Sequence, residues 1–167
     1  MLVKIRKQST LIGFFTLLSI TFIIFINPVL LHASTAEEIE ILLSSGTITY
    51  AQASRFILEA ANALVTRNSD EAFIHAVRNN WLPGNISSIG SARLDHISLL
   101  LMGSFNISGG IMYSFFRNSH YAYRELVYLN IIQGRVDPMM LVSGERLLFY
   151  VNRILEYQES AARQREN

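Results

Sequence analysis

The sequence predicts an all-α protein: three helix-turn-helix repeats stacked side by side in a prism-like bundle, after an N-terminal signal peptide or anchor helix. Two observations predict this fold class. Segments fifty residues apart resemble each other, which indicates an internal repeat. Apolar residues recur at helical spacing behind helix-capping residues. With 167 residues, 50% of them hydrophobic and only 16% charged, the chain has the composition of a folded domain, which argues against a disordered protein.

The N-terminus has the plan of a secretory signal peptide. Basic residues at positions 4–7 precede a strongly apolar stretch, residues 11–31, that carries no charge. Pro28 interrupts the run, and small residues follow at 33–36, where cleavage is expected. A retained anchor is the alternative, because 21 uncharged residues can cross a hydrocarbon core of about 30 Å. In either case residues 1–36 predict an exported, periplasmic or cell-envelope-associated protein.

The repeat is clearest in two segments offset by fifty residues. Residues 67–84 and 117–134 are identical at seven of eighteen positions, and both begin with Arg-Asn-Ser and end with glycine. Each is predicted to form a helix. Ser69 and Ser119 are the predicted N-caps, since a serine oxygen can accept a backbone N–H of the first turn. The closing glycine of each segment is a predicted stop signal.

A second helix is predicted after each of these segments, and an earlier example lies upstream. Thr-Tyr-Ala-Gln at residues 49–52 has the pattern of a capping box. The apolar spacing aligns Thr49, Ala92 and Ser143 as equivalent helix starts, with apolar stripes seven to twelve residues further on.

These helices divide the chain into three units. The predicted helical repeat domain covers residues 37–158, and residues 159–167 form a polar tail expected to fray. An alternative treats the charge-free stretch 97–116 as a second membrane span. Its glycines and serines argue against that alternative. The predicted units cover residues of about 35–65, 69–104 and 119–158.

The second-helix starts resemble those of S-layer homology repeats, which typically carry Thr-Arg-Ala-Glu at this point. The corresponding segments here are Thr-Tyr-Ala-Gln at 49–52, Ala-Arg-Leu-Asp at 92–95 and Ser-Gly-Glu-Arg at 143–146. The turns after the first helices, at 81–84 and 131–134, are similar to the family's Gly-Ile-[Ile/Leu]-x-Gly turn. In that family, three units form a helical prism whose inter-unit grooves hold cell-wall polysaccharide, often through the motif arginine.

The resemblance implies a non-catalytic envelope module that binds a wall glycan or an envelope protein in grooves between repeats. The alternative function is a membrane-tethered structural or partner-scaffolding protein. In the alignment above, only Arg93 matches the motif arginine. An aromatic and basic cluster on the helix after residue 119 adds two candidates for a surface contact. The predicted contact residues are Gln52, Arg93, Asp95 and Arg146 at the helix starts, with Tyr121 and Arg124 on that helix.

Other functional classes find little support in the sequence. His75, His96 and His120 lack the i, i+4 spacing of metal ligands, so no metal site is expected. There is no cysteine and no Gly-x-Ser-x-Gly motif, so we expect neither an enzyme nor a cofactor. A net charge of +1 argues against a nucleic-acid partner. Membrane contact is expected only through residues 11–31, if they are retained. Trp81 aligns with Ile131 in the other copy, which predicts a packing residue.

Overall fold

The computed structural model describes residues 37–166, so the predicted signal peptide or anchor lies outside the described residues. The all-α prediction is confirmed, since this part of the chain contains helices and no β-strand. One compact unit begins at Leu42 and includes all that follows. The helices are α1 (residues 37–44), α2 (Tyr50–Ala60), α3 (Ser69–Arg78), α4 (Leu94–Ser104), α5 (Ile111–Phe115), α6 (Ser119–Tyr128) and α7 (Gly144–Glu166).

Helices α3 and α6 begin and end fifty residues apart, as the sequence predicts. Their caps differ from the prediction by one residue. Asn68 accepts the amides of Asp70 and Glu71 at 3.0 and 3.3 Å, and Asn118 accepts the amide of Tyr121 at 3.1 Å. The predicted caps, the serines at 69 and 119, are instead the first helical residues. An asparagine oxygen caps a helix as well as a serine oxygen does, so the Asn-Ser pair was ambiguous.

Four helices end on an asparagine in the left-handed conformation. Asn62, Asn80, Asn106 and Asn130 have φ between 51° and 57°. After each one, the next amide returns to the carbonyl five residues earlier, and Trp81 N to Ala76 O at 2.9 Å is an example. This is the Schellman arrangement, which satisfies carbonyls at the end of a helix. Asparagine is the residue other than glycine that most readily adopts this conformation.

The second-helix starts confirm one predicted capping box and correct one register. The Thr49 side chain accepts the Gln52 amide, and the Gln52 side chain accepts the Thr49 amide at 2.9 Å. Helix α4 begins at Leu94 with Arg93 as its cap, so Arg93 corresponds to Thr49, and the alignment of Ala92 with Thr49 is wrong. Leu94 therefore occupies the position of the motif arginine. Arg93 makes no capping hydrogen bond through its side chain.

Three backbone segments close a ring of hydrogen bonds before these helices. The Ile48 amide donates to the Val142 carbonyl at 3.0 Å, and the Val142 amide donates to the Ala92 carbonyl at 2.9 Å. The Ala92 amide completes the ring by donating to the Ile48 carbonyl at 2.8 Å. All three residues are buried. The ring therefore joins backbone segments 44 and 50 residues apart along the sequence.

The first amides of the three helices that follow the ring are also used inside the domain. Tyr50 N donates to Gly90 O at 3.0 Å, and Leu94 N donates to Met140 O at 3.0 Å. Gly144 N donates to Ser45 O at 3.1 Å. A Cβ at residue 144 would collide with the Leu42 backbone, so only glycine allows this approach. These helix N-termini are consequently satisfied by loop carbonyls and do not form open anion sites.

Helix α4 is central to the core. Nine of its eleven residues are buried, and it packs against both α2 and α6. It ends at Ser104, and α5 starts only at Ile111, so the charge-free stretch 97–116 is not one continuous helix. Among residues 37–166, no helix has both the length and the apolar character needed to cross a bilayer. Helix α7 continues to Glu166, so residues 159–166, predicted as a polar tail, are helical.

Candidate functional site

A cleft of about 360 Å³ lies where the end of α3, the second half of α4 and α5 come together. We call it the amide cleft, because three asparagines contribute to its wall beside two aromatic residues and an arginine. Pockets of this volume are typical of small-ligand sites. The lining residues are Asn79, Asn80, Trp81, Leu99, Met102, Gly103, Asn106, Ile107, Tyr113 and Arg117.

The helix ends explain why amide side chains gather here. Asn80 and Asn106 are the left-handed residues that end α3 and α4, so both Schellman turns border the amide cleft. Asn79 caps α3 and donates from Nδ2 to the His75 carbonyl at 2.8 Å. An amide side chain has two donor hydrogens and a carbonyl acceptor. Asn79 therefore retains hydrogen-bonding capacity beyond this one contact.

The position of Trp81 in the cleft wall requires glycine at residue 103. Trp81 packs on Gly103, where a Cβ would lie 2.6 Å from both Cγ and Nε1 of the indole. The Trp81 ring also contacts the His75 ring, with centroids 5.8 Å apart. The sequence predicts packing for Trp81, and the structure shows that it packs while also lining the amide cleft.

Tyr113 and Arg117 also line the amide cleft. The Tyr113 side chain is buried and packs back on Gly109, where a Cβ would lie 2.9 Å from the Tyr113 Cβ. Burial raises the pKa of Tyr113, although the nearby Arg117 charge acts in the opposite direction. The phenol is therefore neutral at physiological pH and can donate a hydrogen bond. Arg117 is exposed and supplies a cation to the cleft.

A second, more open groove of about 560 Å³ lies between α5 and α6. Two predicted contact residues, Tyr121 and Arg124, line it. Tyr121 is half-buried against Phe116, with ring centroids 5.9 Å apart. The other lining residues are Gly110, Ile111, Met112, Glu125 and Tyr128.

Arg93 and Asp95 lie together at the start of α4, as the sequence predicts, but they pair with each other. Arg93 Nη2 lies 2.8 Å from Asp95 Oδ2, and Ser119 Oγ donates to the same oxygen at 3.4 Å. The Asp95 Oδ1 atom accepts the His96 amide at 2.9 Å. Asp95 is 8% exposed, so its carboxylate is satisfied within the domain and is largely withdrawn from solvent.

The same cluster contains a chain of hydrogen bonds through Tyr50. The Tyr50 hydroxyl accepts the Arg93 amide at 3.3 Å and lies 2.6 Å from His96 Nδ1. Burial lowers the pKa of His96, opposed by the Asp95 charge and reinforced by Arg93. Neutral His96 can accept the Tyr50 proton at Nδ1. The Ser119 hydroxyl donates to Asp95 rather than to His96.

Gln52 and Arg146 also have partners at their helix starts. Gln52 Oε1 accepts the Thr49 amide in the capping box. Arg146 Nη1 lies 2.9 Å from Met140 Sδ, and the Arg146 amide donates to the Ser143 hydroxyl at 3.3 Å. Neither residue lines the amide cleft or the groove between α5 and α6.

In the part of the chain that the structure describes, no group of three or more His, Cys, Asp or Glu side chains is arranged to hold a metal ion. The sequence predicts no site at the amide cleft. Its walls come from separate segments between residues 79 and 117, which no linear motif connects. The Asn79-Asn80 pair after α3 was its visible signal in the sequence.

No family model, curated protein or solved structure was found to match this chain.

Proposed function

We propose that the protein is a non-catalytic, exported module of the cell envelope, built from three helix-turn-helix repeats, that binds a wall glycan in the amide cleft. The observation that carries this proposal is the composition of the cleft. Trp81 and Tyr113 offer aromatic surface, and the asparagines and Arg117 offer hydrogen bonds beside it. Sugars present both C–H faces and hydroxyl groups, which match such a lining.

The three-repeat interpretation is supported by backbone geometry. Ile48, Ala92 and Val142, which form the hydrogen-bonded ring, each lie two residues before the first residue of a predicted second helix (α2, α4 and α7, respectively). The left-handed asparagines fall at equivalent places as well, with Asn80 and Asn130 fifty residues apart. Under this interpretation the amide cleft lies beside the second repeat and extends into the segment that links it to the third.

The proposal moves the ligand contacts away from the helix starts. Gln52, Arg93, Asp95 and Arg146 already have partners within the domain. Releasing Arg93 from Asp95 for a ligand would leave a largely buried carboxylate without its cation, which is unfavourable. We therefore assign glycan contact to Asn79, Trp81, Tyr113 and Arg117, and a structural role to the four helix-start residues.

Trp81 makes the proposal directly testable, because it is the only tryptophan in the sequence. Full-length protein in mild detergent would be titrated with soluble peptidoglycan fragments while indole emission is recorded. A saturable change in emission is expected, since the ligand would replace water at the ring. Retention on insoluble cell-wall sacculi provides a second measurement.

Three arginine variants separate the possible contact surfaces. Arg117→Ala should weaken retention about tenfold, as expected for loss of a charged hydrogen bond of roughly 1.5 kcal/mol. Arg124→Ala, in the α5–α6 groove, should bind like the parent. Folded Arg93→Ala, at the motif position assigned from sequence, should do so as well, although loss of the cation beside Asp95 lowers its free energy of unfolding. Equal retention of the parent and Arg117→Ala, or loss only in Arg93→Ala, would contradict the cleft assignment. Release of new reducing ends from the fragments would contradict the non-catalytic assignment.

A second candidate function is a membrane-tethered structural or partner-scaffolding protein. The observation that favours it is a set of exposed apolar side chains on α5 and at the end of α6. Full-length protein from native membranes, analysed by mass spectrometry of its N-terminus, tests the tether. An intact start at residue 1 or 2 supports it, and a start near residue 34 or 37 contradicts it.

A further inference from the structure

Helix α5 and the end of α6 expose an unusual amount of apolar surface. We call this surface the α5 patch. Isolated exposed apolar residues are common, whereas a contiguous group marks an interaction surface. The group is contiguous here because Ile111, Met112 and Tyr128 line one groove and Phe116 contacts Tyr121 of that groove. Its members are Ile111, Met112, Phe115, Phe116 and Tyr128, with exposures of 77%, 55%, 79%, 57% and 84%.

The domain fixes α5 so that these side chains face outward. Tyr113 is the one buried residue of the helix and anchors it at the amide cleft. At the start of α5, the Glu125 side chain of α6 lies against Gly110, where a Cβ would be 2.9 Å from Glu125 Oε1. The exposed side chains are thus carried by a helix that is anchored by one buried tyrosine and contacted at Gly110 by the Glu125 carboxylate.

The charges around the α5 patch differ from those of the domain. Beyond residue 33 the acidic residues outnumber the basic ones by two. Beside the patch, however, Arg117 and Arg124 are exposed, and the acidic Glu125 is partly covered against Gly110. Aromatic side chains flanked by arginines are typical of surfaces that enter the headgroup region of a membrane.

We infer that the α5 patch docks on an anionic phospholipid surface, with the apolar side chains among the acyl chains and Arg124 at the headgroups. The length of the chain supports this occupant over a second copy of the protein. Only ten residues separate the apolar run 11–31 from Leu42. Five of them belong to α1, so the stretch reaches less than the roughly 35 Å of a fully extended chain, and a retained run holds the domain near the bilayer. A surface with weak affinity for lipid binds a membrane more tightly when a tether raises its effective concentration there.

The absence of cysteine allows a clean test with single fluorescent probes. Phe115→Cys places a nitrobenzoxadiazole label in the α5 patch, and Ile89→Cys places it at an exposed apolar residue outside the patch. Both full-length variants would be reconstituted into phosphatidylcholine vesicles with and without phosphatidylglycerol. Label at 115 should shift to blue emission and be quenched at least twofold by spin-labelled lipids, more strongly with phosphatidylglycerol. Label at 89 should not respond.

Charge reversal tests the role of Arg124. Arg124→Glu, combined with the label at 115, should reduce the quenching gained from phosphatidylglycerol by at least half. Arg67→Glu, an exposed arginine in the loop before α3, is the matched control and should leave that quenching unchanged. An equal effect of both reversals would overturn the headgroup assignment, because it would reflect net charge only.

Three outcomes would overturn membrane docking. No response at residue 115 means that the patch stays in water. Equal responses at 115 and 89 mean that the domain has no preferred membrane-facing surface. A response that disappears when the protein is diluted to one chain per vesicle means that a second copy covers the patch. A response at 115 that survives this dilution supports lipid as the occupant.

Discussion

The indole of Trp81 lies against Gly103, close enough that residue 103 has no room for a side chain. This one contact closes the wall of the amide cleft and places the only tryptophan of the sequence beside it. In the sequence the two residues fall in different predicted segments, and no local pattern indicates that they are in contact. Their contact provides the most direct way to perturb the cleft without changing a ligand-binding side chain.

We expect Gly103→Ala to destabilise the domain and displace the indole. The added methyl group would lie 2.6 Å from Cγ of Trp81, so the ring must shift, and overpacking of this kind costs about 1–3 kcal/mol. Urea unfolding followed by circular dichroism gives the free energy of unfolding, and indole emission gives the ring environment. Gly46→Ala is the control, because nothing lies within 4 Å of a Cβ there. Equal losses in both variants would refute the contact.

The cap of α3 can be assigned by a pair of substitutions. Asn68→Ala should lower the free energy of unfolding by about 1 kcal/mol, because it removes the acceptor for two first-turn amides. Ser69→Ala should change it by only a few tenths, since this residue is inside the helix and alanine is a good helix former. Thermal or urea unfolding of the two variants checks the expectation. If Ser69→Ala were the more damaging, the serine would be the cap.

The left-handed turn after α2 gives an opposite pair of effects. Asn62 has φ 52°, so Asn62→Ala should cost about 1 kcal/mol, whereas Asn62→Gly should be neutral or slightly stabilising. The two variants lose the same side-chain hydrogen-bonding groups and differ mainly in backbone freedom. Their urea midpoints should therefore diverge. Matching midpoints would show that the turn does not limit stability.

Stability should fall as the pH drops through the titration of His96. Burial lowers the pKa of His96 in the folded state, so the unfolded chain binds its proton first. The free energy of unfolding should therefore be highest above the ordinary histidine pKa of about 6.5 and decrease below it, until the folded-state pKa is passed. Protonation would also remove the acceptor for the Tyr50 hydroxyl.

The His96 effect is measured by urea unfolding between neutral and mildly acidic pH. His96→Asn should flatten the decrease, while His120→Asn, a change at an exposed first-turn residue of α6, should leave it in place. A profile that keeps its full slope in His96→Asn would assign the decrease to other groups.

Local patterns in the sequence predicted the helices well. The fifty-residue offset gave α3 and α6 with matching bounds, and the capping box at Thr49 is present as expected. The misplaced caps lie one residue from the true ones, because adjacent Asn and Ser can each cap a helix. The shift at Ala92 has another cause. Its backbone is engaged in the ring with Ile48 and Val142, a long-range contact that local spacing cannot reveal.

The site was harder to predict than the fold. Tyr121 and Arg124 were identified from sequence and do line a groove, because residues three apart on one helix share a face. The amide cleft escaped prediction because it depends on Gly103, whose lack of a side chain has meaning only once Trp81 lies above it. Helix α5 is not among the helices predicted from the sequence, since five residues between glycines and a polar turn carry too little periodicity.

The ring of hydrogen bonds also constrains how the protein can be made. Ile48 is synthesised early in the domain and Val142 late. The Ile48 amide therefore has no access to its acceptor, the Val142 carbonyl, until most of the domain has been made. A nascent chain that ends before Val142 would leave the Ile48 amide without its acceptor and the Ala92 carbonyl without its donor. The ring can therefore close only after residue 142 has been synthesised.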